Sequence, residues 1–168
     1  MNPSPIGGSW AWCVVGTLFN RRIRTGSGIV TPEDCGTPTV SNNQMEFMAA
    51  VMGLAAMPDG WNGTLYTDSL VTLNRVLWPN ELRLMSVPGW LADDLYTQRK
   101  RLGKFQCVLL KGHPNKRDLE RGHTKKGKPV SSHNVWCDAE CGRLAEAFMA
   151  RKSEQDFLER HAMAGDSS

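Results

Sequence analysis

Long apolar runs are missing from this chain. The most extended, Trp10 to Val15 and Val108 to Leu110, are strand-sized, so no membrane-spanning helix is expected. No N-terminal stretch combines a basic start, an apolar run and a cleavage site, so a reducing interior is expected. The cysteines do not add up to a disulfide framework either. Cys13, Cys35, Cys107, Cys137 and Cys141 form an odd set, as expected of a cytoplasmic protein in a reducing interior. There is no internal repeat and no low-complexity segment. The formal net charge, +3, permits a polyanionic partner without demanding one. Finally, no aspartate precedes Asp34.

What is present fits one domain, since about 100–200 residues per domain is usual and this chain has 168. Residues 9–18 are rich in aromatic and β-branched types, and residues 21–30 carry Ile23, Thr25, Ile29 and Val30. They read as two antiparallel strands joined at Asn20-Arg21. From Asn43, Met45, Met48, Ala49 and Met52 repeat at helical spacing until Pro58-Asp59-Gly60 stops the segment. A strand over 63–67 runs into Asp68-Ser69, and a short helix on Leu70, Leu73, Val76 and Leu77 ends at Pro79. A further helix over 89–102 turns Leu91, Leu95 and Leu102 inward. Residues 105–110 read as a strand, 112–133 as a loop, and Asn134 to about Ala150 as a last helix with Cys137, Cys141, Leu144 and Phe148 along one side. The order β-β-α-β-α-α-β-α predicts an α/β domain with a mixed sheet, an antiparallel hairpin followed by parallel strands, and helices on both faces. The domain is expected over residues 1–152. Residues 153–168 then form a helical extension that frays from Ala164 onward.

Three acids stand in distinctive settings: Glu46 in Ser41-Asn42-Asn43-Gln44-Met45-Glu46, Asp68 in Leu65-Tyr66-Thr67-Asp68-Ser69, and Asp138 in Asn134-Val135-Trp136-Cys137-Asp138. Each also has a plain structural role open to it. Glu46 fits a capping box on Asn43, Asp68 fits the N-terminus of the helix that follows it, and Asp138 suits the positive end of the last helix. Their joint placement favours a site, because a parallel strand ending near Asp68 presents the edge at which open α/β sheets bind ligands. Clustered carboxylates repel one another unless cations neutralise them, and the matching cation is a hard, oxygen-seeking ion such as Mg²⁺.

Five segments in order resemble the signatures of type 1 ribonuclease H: the glycine- and proline-rich opening Asn2 to Trp12, Ser-Asn-Asn-Gln-Met-Glu-Phe-Met-Ala-Ala, Leu-Tyr-Thr-Asp-Ser, Leu-Lys-Gly-His and Asn-Val-Trp-Cys-Asp. Together they span residues 2 to about 150. The resemblance implies a ribonuclease H-like mixed sheet and endonucleolytic cleavage of the RNA strand of RNA·DNA hybrids, with two Mg²⁺ (or Mn²⁺) ions per site and a 5′-phosphate product. It implies that Glu46, Asp68 and Asp138 are metal ligands, that Asn42 and Asn43 contact substrate, that Asn134 is a polar residue near the site, and that His113 assists proton movement and product departure. The long segment after His113 carries Lys116, Arg117, Arg121, Lys125, Lys126 and Lys128. Beside the site, these cations would attract a phosphate backbone without reading its sequence, and Lys125, Lys126 and Lys128 are the candidates to grip the hybrid. The segment from Trp78 to Trp90 lacks the basic protrusion some family members use, and Leu70 stands where the family often has a polar residue.

The resemblance also implies a first catalytic aspartate, on a central strand before the glycine-rich turn, and that strand is expected to be absent here. Asp34 lies beyond the hairpin and is not assigned the role. Three accounts stay open: the start is internal to a longer chain, which is favoured; residues 1–8, the tail or another molecule fills the gap; or catalysis is weak or lost. A monomer is expected unless a strand is exchanged to fill the sheet. The alternative functions are a non-catalytic hybrid- or duplex-binding module and another metal-dependent nuclease on the same fold. A structural zinc on His133, Cys137, Cys141 and His123 is disfavoured, because three ligands at i, i+4 and i+8 span about 12 Å of helix.

Overall fold

The computed structural model describes residues 4–165. Its first unit is an antiparallel hairpin of β1 (Gly8–Gly16) and β2 (Arg21–Val30), with Gly8 opposite Val30 and Gly16 opposite Arg21. Trp10 faces Gly28 and Trp12 faces Gly26 across the ladder, and a Cβ at either glycine would collide with the opposing indole. The glycines therefore let two large rings lie flat on β2. The connection is a four-residue turn over 17–20, longer than the expected Asn20-Arg21 joint, with Asn20 in the left-handed region at φ 50°.

Short α1 (Pro32–Cys35) follows, capped by Thr31 in a capping box with Asp34. This accounts for Asp34, whose carboxylate accepts from the Thr31 N–H at 2.8 Å. The central helix α2 (Asn42–Ala55) corrects an expectation. Its capping box joins Ser41 and Gln44, not Asn43 and Glu46: Ser41 Oγ accepts from the Gln44 N–H, and the Ser41 N–H donates to Gln44 Oε1 at 2.8 Å. Gln44 is buried there and also donates to the Ser86 carbonyl at 3.0 Å.

β3 (Thr64–Thr67) pairs in parallel with β4 (Gln106–Leu109), and α3 (Leu70–Leu77), α4 (Glu81–Leu84) and α5 (Gly89–Arg101) form the crossover between them. Phe47, Met48, Val51 and Leu54 of α2 meet Val76, Leu91, Leu95 and Leu102 in the core. The expected loop after β4 is more ordered than its sequence suggests. It holds α6 (Lys116–Arg121), capped by Asn115, and then a bridge between His123 and Pro129. The last helix, α7 (Ser132–Gly165), runs 34 residues, starting two residues before the expected Asn134 and continuing unbroken past 152. Ala164 and Gly165, where fraying is expected to begin, are still helical; the rest of that stretch, 166–168, lies outside the described residues. No helix among the described residues is long and apolar enough to cross a membrane.

The β1–β2 and β3–β4 ladders remain two separate two-stranded sheets, both contacted by α2. Among the described residues no strand joins β1 to β3. Ser4 bridges Val40 instead, and the tail is helical to Gly165, so the described parts of the two ends do not supply that strand.

Candidate active site

Because Ser41 and Gln44 occupy the α2 cap, the Glu46 carboxylate takes no part in capping. Asn42, one turn earlier, donates from Nδ2 to Glu46 Oε1 at 2.9 Å. Asp68 is released from capping in the same way: Ser69 caps α3, its Oγ accepting from the Thr72 N–H at 3.1 Å. Asp68 Oδ2 instead accepts from Asn134 Nδ2 at 3.1 Å, across from α7. Asp138 lies in the second turn of α7, beyond the first turn in which the helix dipole acts most strongly, so its dipole role is weaker than the sequence suggests.

The three acids feel one another. Partial burial holds the Glu46 carboxyl above its ordinary range, with Asp68 adding to the rise and the Ser69 hydroxyl and Asn42 amide opposing it. Partial desolvation likewise raises Asp138, Asp68 and Glu46 push it further, and His113 pulls it down. His113 follows Gly112 in the left-handed region, at φ 49°. Gly112 runs close against Asp68: a Cβ there would lie 3.1 Å from Asp68 Oδ2. The end of β3, the first turns of α2 and α7 and the segment after β4 thus bring Asp68, Glu46 with Asn42, Asp138 with Asn134, and His113 to one region. Even so, among the described residues no three His, Cys, Asp or Glu side chains converge tightly enough to enclose an ion. The cluster is an open one. The surface hollows along the exposed end of α7, lined by residues such as Phe148, Lys152 and Asp156, contain none of it.

No family model matches this chain. It is 30% identical to a ribonuclease H from Chlorobium phaeovibrioides over 148 residues, 86% of each chain. A ribonuclease H from Prosthecochloris aestuarii is 29% identical over 138 residues, 80% of this chain and 82% of that one. The chain belongs to the ribonuclease H family.

In this member of the family, Lys125, Lys126 and Lys128 are exposed on a tight turn, closed by the Thr124 N–H donating to the Lys128 carbonyl at 2.8 Å and by Gly127 at φ 80°. The turn's base is tied beside the cluster, because the Lys111 N–H donates to the Pro129 carbonyl at 2.9 Å, next to Gly112. Asn43 is exposed on the first turn of α2. The residues of the zinc alternative are engaged elsewhere: His133 Nδ1 accepts from Arg22 at 2.9 Å, its Nε2 donates to the Asn20 carbonyl at 3.0 Å, and Cys137 faces Cys13. Sequence reasoning gives no role to Ser69 or Gly112. Both follow a strand end closely, and that position is the available signal.

Proposed function

We propose that this chain hydrolyses the RNA strand of RNA·DNA hybrids, leaving 5′-phosphate ends, with Glu46, Asp68 and Asp138 holding divalent cations, Mg²⁺ or Mn²⁺. The observation that carries the reading is the gathering of three carboxylates from separate elements, two of them freed from capping by Ser41, Gln44 and Ser69. Their donor set is all hard oxygen, and their mutual repulsion is what a bound cation relieves. Bound there, divalent cations supply Lewis-acid activation of the attacking water and the leaving oxygen. The chain's own residues do the rest. Asn134 orients Asp68, His113 carries a proton at the rim beside Asp138, Asn42 and Asn43 bind the substrate backbone, and the Lys125–Lys128 turn draws in phosphates.

A second reading, a hybrid-binding module, is favoured by one observation: Lys125, Lys126 and Lys128 stand exposed together on one tight turn. One assay separates the two. The chain is incubated with labelled RNA·DNA hybrid, single-stranded RNA and duplex DNA in Mg²⁺ or Mn²⁺, beside Asp68→Asn. Cutting of RNA in the hybrid alone, lost in the variant, supports the nuclease. Binding without cutting supports the module, and cutting of DNA points to another metal-dependent nuclease.

A further inference from the structure

Two sulfurs meet where α7 crosses the hairpin. Cys137 Sγ lies 3.8 Å from Cys13 Sγ, and the two residues are 124 positions apart in sequence. Both are free thiols of intermediate exposure. The contact is held from both sides. His133 bonds to Asn20 and Arg22, the Arg22 guanidinium lies 5.1 Å from the centre of the Trp136 ring, and Ser9 Oγ donates to the Cys141 carbonyl at 2.9 Å. The pair therefore sits in van der Waals contact between two elements held against each other, and a disulfide requires the sulfurs to close from 3.8 Å to about 2.05 Å.

We propose that Cys13 and Cys137 form a reversible redox pair that a hydroperoxide joins into a disulfide, locking α7 to β1. Either sulfur can attack first, since each lies 3.8 Å from the other and the balance is the same; Cys13 serves as the example. Attack on the peroxide breaks the O–O bond, leaving a sulfenic acid on Cys13 and releasing water or an alcohol. Cys137 then attacks that sulfur, its proton departing with the hydroxyl as a second water. Two thiols lose two electrons in total and the peroxide gains them. A dithiol reductant reverses the step by exchange, in keeping with a reducing surrounding. Asp138 follows Cys137 directly, so the bond ties down the turn that carries this acid. Any effect on hybrid cutting rests on the function proposed above, whereas the bond itself does not.

The test treats the full native chain with a small excess of hydrogen peroxide, followed by intact mass measurement and non-reducing peptide mapping. The expected product is a monomer lighter by two hydrogen atoms, with a Cys13–Cys137 crosslink, a higher Tm, and full return of mass and Tm after dithiothreitol. Cys13→Ser and Cys137→Ser each abolish the crosslink, while Cys141→Ser retains it. Crosslinks through Cys35, Cys107 or Cys141, chain-to-chain disulfides, over-oxidised Cys13 without a crosslink, or no reaction would each overturn the proposal.

Discussion

Asn134 is the side chain that ties α7 to the end of β3, through its bond to Asp68 Oδ2. Removing it leaves Asp68 without that orienting donor while costing little core packing, since the residue is only partly buried. Asn134→Ala is therefore expected to slow hybrid cutting by roughly 10- to 100-fold with Tm nearly unchanged, measured by single-turnover cleavage and thermal melts. The raised carboxyls give a second prediction. A carboxyl whose folded-state pKa lies above its unfolded value contributes stability that is full below the unfolded pKa and is lost as pH rises through the folded one. Ionised Glu46 and Asp138 are thus a cost at neutral pH, modest for Asp138 because it is exposed. Without divalent ions, Asp138→Asn should melt slightly higher than the natural chain at pH 7, and the gain should vanish on acidification below the ordinary carboxylate range. A gain that stays constant across pH would refute it. At this scale the three acids were legible in the sequence, but the cap of α2 was not. Ser41-x-x-Gln44 and Asn43-x-x-Glu46 overlap, and only burial of Gln44 against Ser86 decides between them.

Among the elements, α6 was hidden because six residues show no helical period, although Asn115 at its start and left-handed Gly122 at its end are cap signals. The helical extension at the end of α7 was expected, though not from an apolar stripe. Residues 153–165 are almost wholly exposed, so no apolar stripe marks them, yet no proline stops the helix. The longer helices were legible from their apolar spacing: α5 buries Leu91 and Leu95, and Leu102 just beyond it, as that spacing requires. The lysine turn makes the element-scale prediction. Its three lysines are exposed on a turn anchored through Pro129 to the chain beside Gly112, so under the proposed function they would act on a bound backbone rather than on the fold. Replacing Lys125, Lys126 and Lys128 together by Gln should weaken hybrid binding and flatten its salt dependence, by nearly one unit of log–log slope for each phosphate that is no longer neutralised. Unchanged affinity and slope in a salt titration would remove the turn from the binding surface.

For the molecule as a whole, the α/β class, the order of its longer elements and the separation of the two ladders were legible, the last because the resemblance implies a central strand that this sequence is expected to lack. That separation decides where the acids come from. Asp138 arrives with the hairpin, since α7 packs on β1 and β2; Asp68 arrives at the end of β3; and Glu46 stands on α2, which contacts both sheets. A cation shared by the three would therefore bind the folded arrangement and not the unfolded chain, and would stabilise the junction between the halves. At a concentration 100-fold above its dissociation constant such a ligand adds about 2.7 kcal/mol, enough to raise Tm by several degrees. Titrating Mg²⁺ and Mn²⁺ into the natural chain should raise Tm in a saturable way, and Asp68→Asn should lose most of the rise. An equal rise in the variant would place the bound ion away from these three carboxylates.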